Sequence, residues 1–131
     1  MKLVVDASVA VEYLLRTPLG RRVGLLLERA TLVAPELLDA EVLSVLRRAV
    51  LGGRLAHARA REALDDLVAW PVRRLPHRPL LREAWALRHN ASGYDALYLA
   101  AGRLHGARVL TADGPLARVP GVGALVENVR A

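Results

Sequence analysis

Four carboxylates in this chain stand where side chains of that kind are expensive. Asp6 closes the unalternating apolar run Leu3-Val4-Val5, and Asp113 sits just past a second run ending in Val109-Leu110-Thr111. Glu41 lies on the apolar flank of a helical segment, with Leu37, Leu38, Ser44 and Val45 three and four residues away. Asp95 shares a stripe with Tyr98, Leu99 and Gly102 in a segment that is apolar nearly all the way round, so the pattern predicts burial from Tyr94 onward. An ionised carboxylate among apolar neighbours is costly unless a cation or several donors compensate it.

Each acid also has an ordinary local reading. Asp6 or Ser8 can cap the helix that follows, and Ser92 with Asp95 three positions on has the form of a capping box. Glu41 can be an edge residue that reaches solvent. Asp113-Gly114-Pro115 is common turn chemistry. The four together suggest something more specific. Were they to converge, mutual repulsion would raise some of their pKa values sharply, and a hard divalent cation would relieve it. There is no cysteine, and His57, His77, His89 and His105 are not at metal-binding spacing and read as surface or loop. All-oxygen ligation of this kind points to Mg²⁺ or Mn²⁺.

The elements needed to position these residues alternate between strand and helix. Residues 2–5 read as a strand buried on both faces, followed by helix over 7–15. A second helix is predicted over 20–30, then a strand over 31–34 stopped by Pro35, which suits the opening of a helix. Helix follows over 36–51, with Asp39 as an ordinary exposed residue. Gly52-Gly53 separates it from another helix over 55–69 whose apolar line is Leu64, Leu67 and Val68. A strand over 72–75 and a helix over 79–88 carrying Leu80, Leu81, Ala84, Trp85 and Leu87 come next. After the Tyr94 helix, strands are expected over 107–111 and 123–129. This order predicts an α/β/α sandwich on a mainly parallel sheet of about five strands. Asp6 and Asp113 would then leave the same sheet edge, and Asp95 and Glu41 could reach it if their strands are neighbours.

The length of 131 residues fits one domain, spanning 1–131, and 53% hydrophobic content argues against disorder. No apolar run approaches the ~18 residues of a membrane span, and no signal peptide is evident, so a soluble cytoplasmic protein is expected. Lys and Arg number 19 against 13 acids, a net charge of +6, and Lys2 is the only lysine. With the four acids above neutralised by metal, nine remain against 19 bases. An acidic metal site in an arginine-rich body suits a polyanionic nucleic acid, although compositional bias also produces arginine-rich chains.

The segments Val4-Val5-Asp6-Ala7-Ser8, Pro35 to Val42 with Glu41, Tyr94-Asp95-Ala96-Leu97-Tyr98-Leu99-Ala100 and Leu110-Thr111-Ala112-Asp113 resemble the PIN-domain family. The size resembles its toxin branch, the VapC toxins of VapBC toxin–antitoxin pairs. The resemblance implies an endoribonuclease dependent on Mg²⁺, with Mn²⁺ as substitute. Asp6, Glu41, Asp95 and Asp113 would be its acidic quartet, catalytic and metal-binding, and Ser8 and Thr111 hydroxyls that steady ligands or water. Asp113 corresponds to the family's most variable acid. The resemblance further implies a homodimer, a VapB-type antitoxin over the helical hairpin, and RNA targets such as tRNA or ribosomal RNA. Water activated by the metal would attack in line and leave 5′-phosphate and 3′-hydroxyl ends. Arg16, Arg47 and Arg48 are candidates for positioning phosphate.

Three other readings compete. A phosphoacceptor receiver domain needs adjacent acids after the first strand and a late lysine, but here Ala7 follows Asp6 and no lysine follows Lys2. A catalytically silent PIN module acting in RNA binding or dimerisation would share the sequence pattern. A DNA substrate is also open, because phosphodiester hydrolysis does not itself require the 2′-hydroxyl. Three Tyr, two Trp and no Phe offer little for base stacking, which favours recognition through arginine and RNA shape.

Overall fold

A computed structural model describes residues 1–130, and its centre is a five-stranded parallel sheet in the order β3-β2-β1-β4-β5. The chain runs β1 (Lys2–Val5), α1 (Ala7–Leu14), α2 (Pro18–Arg29), β2 (Thr31–Pro35), α3 (Leu37–Leu51), α4 (His57–Ala69) and β3 (Val72–Leu75). A 3-10 turn over Arg78–Leu80 leads into α5 (Leu81–Trp85), α6 (Gly93–His105), β4 (Arg108–Thr111), α7 (Gly114–Ala117) and β5 (Val126–Asn128). Every strand pairing is parallel.

Alternation along the strands sends side chains to two cores. Leu3, Val5, Leu32, Ala34, Val72 and Leu110 pack with α1 to α4 on one face. Val4, Val33, Leu75, Val109 and Val126 pack with the α5–α7 side on the other. The result is the expected α/β/α sandwich. Strands buried on both faces explain why β1 and β4 read as continuous apolar runs rather than alternating ones.

Two glycines set close approaches. A Cβ on Gly102 would lie 2.8 Å from both the Ala107 carbonyl and Val109 Cγ2, so this helix seats on β4 only without a side chain there. A Cβ on Gly20 would run into the Glu12 carbonyl, and its absence lets α2 fold back against α1.

Several expectations need correction. Pro35 ends β2 opposite Leu75 instead of opening the next helix. Glu36 supplies no side-chain cap to α3; the Leu37 N–H donates to His77 Nε2 at 3.0 Å, so this histidine caps the helix that carries Glu41. The 79–88 segment is a 3-10 turn and five α-helical residues, with Leu81 and Trp85 exposed. Val68 faces solvent at the end of α4, and Tyr94 is exposed where α6 begins. Only the middle of α6, Ala96 to Gly102, is buried all round. Asp39 is tied to Arg74 at 3.1 Å. No helix among the described residues is long and apolar enough to cross a membrane.

Candidate active site

The strand order reverses between β1 and β4, and open α/β sheets bind ligands beyond the carboxyl ends of strands at such a point. Asp6 leaves β1 there and is buried, 4% exposed. Its Oδ1 accepts from the Ser8 hydroxyl at 2.6 Å and the Val9 N–H at 3.0 Å, and its Oδ2 accepts from the Thr111 hydroxyl at 2.5 Å. The Val9 bond makes Asp6 the N-cap of α1, so the capping reading holds without exhausting the carboxylate. Burial pushes the Asp6 pKa up, its three donors oppose that, and the charge of Asp113 adds to it.

Ser8 and Thr111 join the two strand ends. Ser8 Oγ accepts from the Ala112 N–H at 2.8 Å, and Thr111 Oγ1 accepts from the Asp113 N–H at 2.9 Å. Thr111 is wholly buried. Asp113 stands at the N-cap position of α7 but makes no side-chain capping bond, which leaves its carboxylate uncommitted.

Asp95 approaches from the first turn of α6. Its N–H donates to the Ser92 hydroxyl at 3.1 Å, so Ser92 caps the helix as expected. The reciprocal bond of a capping box, from the Ser92 N–H to the Asp95 carboxylate, is not formed. Burial and then the charges of Asp113 and Glu41 raise the Asp95 pKa, against a lowering by the Ser92 hydroxyl.

Glu41 projects from α3, half-buried, and its Oε1 accepts from the Tyr98 hydroxyl at 2.7 Å. Tyr98 is pushed well above its ordinary pKa by burial, by that bond, and by the charges of Glu41, Asp6 and Asp95. One buried hydroxyl therefore lies within the field of three of the four acids. Sequence reading placed Tyr98 on the Asp95 stripe but gave it no role. The available signal was a phenol in an otherwise apolar helix, whose hydroxyl must find a partner when buried.

The surrounding charge is arranged unevenly. Six carboxylates, those of Glu12, Asp39, Glu62, Asp66, Glu83 and Glu127, are paired with arginines. Among the described residues none of Asp6, Glu41, Asp95 and Asp113 has such a partner. In an arginine-rich chain, four acids at one sheet edge repel each other, and among the described residues none is held in an ion pair. That donor set fits a hard divalent cation in its chemistry. Among the described residues no three Asp, Glu, His or Cys side chains are arranged to hold a metal ion directly. Mg²⁺ does not demand such a cage, because it usually keeps several waters and takes one or two carboxylates.

Of the three candidate arginines only Arg48 lines the cleft that contains Glu41, a space of about 320 Å³ also bordered by Ala7 and Tyr94. Arg47 lines a separate groove between α3 and α4, and Arg16 lines another beside α2, 3.9 Å from Asp66. The structure does not bring Arg16 or Arg47 to the acids.

Residues 3–122 match the model of the PIN domain. The chain is 44% identical to Ribonuclease VapC1 of Mycobacterium tuberculosis, with 97% of each chain covered. It is 35% identical to Ribonuclease VapC12 of the same organism, over 97% of this chain and 98% of the other. Among solved structures it resembles PAE2754 from Pyrobaculum aerophilum, with a TM-score of 0.69, 23% identity, and coverage of 98% of this chain and 84% of that one. It also resembles the VapBC2 structure from Rickettsia felis bound to a promoter DNA fragment, with a TM-score of 0.69 at 14% identity, covering 97% and 98%. At those identities the structural likenesses speak for the fold alone.

Proposed function

The chain belongs to the PIN-domain family, and from that membership we propose that it is a metal-dependent endoribonuclease, the toxin of a type II toxin–antitoxin pair. The observation that carries the proposal is the set of four acids at the switch point of the sheet that, among the described residues, form no ion pair, in a protein of net charge +6. The relatives named as VapC ribonucleases support the RNA substrate and a VapB-type antitoxin as partner. A soluble cytoplasmic homodimer is part of the same reading.

In this proposal Asp6, Glu41, Asp95 and Asp113 form the site for Mg²⁺, or Mn²⁺ in its place, one or two of them as direct ligands and the others through its waters. When bound, the cation would activate water for in-line attack on a phosphodiester and offset charge on the reacting phosphate. The chain's own residues prepare the acids for that task. Ser8, Thr111 and the Val9 N–H fix the Asp6 carboxylate in one rotamer. Tyr98 orients Glu41 and leaves Glu41 Oε2 free of that bond. Arg48, at the mouth of the Glu41 cleft, is placed to take a phosphate of the incoming strand. With water as nucleophile and the 3′-oxygen as leaving group, the products are 5′-phosphate and 3′-hydroxyl ends.

The test is cleavage of an end-labelled cellular RNA pool in Mn²⁺ or in EDTA, with wild type beside Asp95→Asn. Fragments with 5′-phosphate ends that need Mn²⁺ and vanish in the variant are expected. Cleavage that survives EDTA, or is equal in the variant, would sink the assignment. Cleavage of DNA with RNA left intact would keep the chemistry and change the substrate.

A further inference from the structure

Asp6 caps α1 and Ser92 caps α6, each from the residue just before the helix. The helix that carries Glu41, α3, has no such residue. Glu36 precedes it with helical backbone angles, φ −53° and ψ −27°, and makes no side-chain bond to the first turn. The first N–H groups of a helix find no partner within it. Here two consecutive ones are taken by the turn that follows β3. The Glu36 N–H donates to the Leu75 carbonyl at 2.9 Å, and the Leu37 N–H donates to His77 Nε2 at 3.0 Å. Only a neutral imidazole with its proton on Nδ1 offers that lone pair.

The turn that grips α3 is itself fixed. The His77 carbonyl accepts from the Leu80 N–H at 2.9 Å, and Leu75 and Leu80 on either side of His77 are buried in the same core. What the turn holds leads directly to the acids. Leu37, Glu41, Ser44 and Arg48 fall at spacings of four, seven and eleven on one stripe of α3, and all four line the same cleft. Displacing the first turn therefore moves Glu41, one turn further on. The Tyr98 bond holds the Glu41 side chain, whereas the His77 bond holds the backbone that side chain grows from.

We propose that His77 is a positioning residue for the reaction. By accepting from the Leu37 N–H it sets the start of α3, and with it the depth at which Glu41 and Arg48 enter the acid-bearing cleft. The inference rests on the ribonuclease reading and adds to it a residue that acts only through another. It gives a task to a histidine expected to be surface or loop.

A cap that merely stabilised the fold would behave differently, and Thr17 supplies the comparison. Its hydroxyl accepts from the Gly20 N–H at 3.0 Å and caps α2, which bears none of the four acids. Wild type is set beside His77→Ala, His77→Asn, His77→Gln and Thr17→Ala, all in the whole chain. Amide hydrogen exchange of Leu37 in EDTA reads the bond. Calorimetric titration with Mn²⁺ in the absence of RNA reads the acid site, and kcat and KM for RNA cleavage read the reaction. His77→Ala is expected to speed Leu37 exchange, and to weaken Mn²⁺ binding and lower kcat, each on the order of tenfold. The two amide variants recover kcat to the extent that their side-chain oxygen restores Leu37 protection. Thr17→Ala should lose melting temperature yet keep wild-type Mn²⁺ affinity and kcat. A kcat that does not follow Leu37 protection across the His77 variants overturns the inference, as does a Thr17→Ala variant that loses as much activity as His77→Ala. If wild type binds Mn²⁺ but cuts no RNA, the ribonuclease reading fails, and Mn²⁺ affinity that follows Leu37 protection still upholds the task of His77. If wild type cuts RNA while kcat and Mn²⁺ affinity ignore Leu37 protection, this inference alone fails.

Discussion

Tyr98 on α6 donates its hydroxyl to Glu41 on α3 at 2.7 Å, joining two acid-bearing helices from opposite faces of the sheet. Burial, then Glu41 and the charges of Asp6 and Asp95, raise the Tyr98 pKa, so the phenol is the donor in this bond. Tyr98→Phe should cost about 1.5 kcal/mol of stability, the lower end for a hydrogen bond to a charged group, since half-buried Glu41 can recruit water. Cleavage should fall several-fold through loss of Glu41 orientation. Thermal unfolding and initial cleavage rates measured side by side check both halves, and an unchanged rate would remove Tyr98 from the site.

Thr111 is the more severe case because it serves two partners. Its hydroxyl donates to Asp6 and accepts from the Asp113 N–H, at a position with no solvent access. Thr111→Val preserves volume but strands both groups, and should cost about 1–3 kcal/mol. Thr111→Ser should restore most of the loss and most of the activity. Urea unfolding midpoints for the three proteins provide the measurement.

Asp6 gives a pH signature. Its pKa is raised in the folded protein, so the native state binds its proton more tightly than the unfolded chain does. That contribution is fully present below the unfolded carboxylate value and is lost as pH rises through the folded value. In EDTA, Asp6→Asn should therefore gain stability relative to wild type as pH rises across that window, with the gap widest near neutrality. Unfolding curves from acid to neutral pH would show it, and a gap that narrowed with rising pH would contradict it.

The apolar runs of β1 and β4 and the strand–helix alternation made the sandwich legible in the sequence, because both-face burial leaves a plain pattern. The short edge strand over Val72–Leu75 left a fainter pattern, because its two middle residues are arginines and only Val72 and Leu75 are buried. Side-chain exposure on the outer helices was not: Trp85, Val68 and Tyr94 have the composition of core residues, and only the position of neighbouring elements leaves them outside. His77 capping α3 was equally hidden, since the bond spans 40 residues and no local rule links a loop histidine to a distant helix start. Within the site, Asp6 and Asp95 could be singled out by their apolar surroundings. Which of them also capped a helix depended on rotamers that spacing does not specify.

Ser92 and Asp95 separate the capping role from the chemical one, and two substitutions exploit this. Ser92 supplies the cap by accepting from the Asp95 N–H, and its hydroxyl only modestly favours the charged Asp95 carboxylate against the burial and neighbouring acids that raise its pKa. Ser92→Ala should lower stability by about 1 kcal/mol and leave cleavage largely intact. Asp95→Asn keeps the N–H and removes a charge that Asp113 and Glu41 repel, so without metal its stability should equal or exceed wild type. Its cleavage should nonetheless be almost abolished. Melting temperature in EDTA plotted against Mn²⁺-dependent cleavage would place the two variants at opposite corners. If both instead lost stability and activity together, Asp95 would be a helix-start residue and the acid site would have to be built from the remaining three.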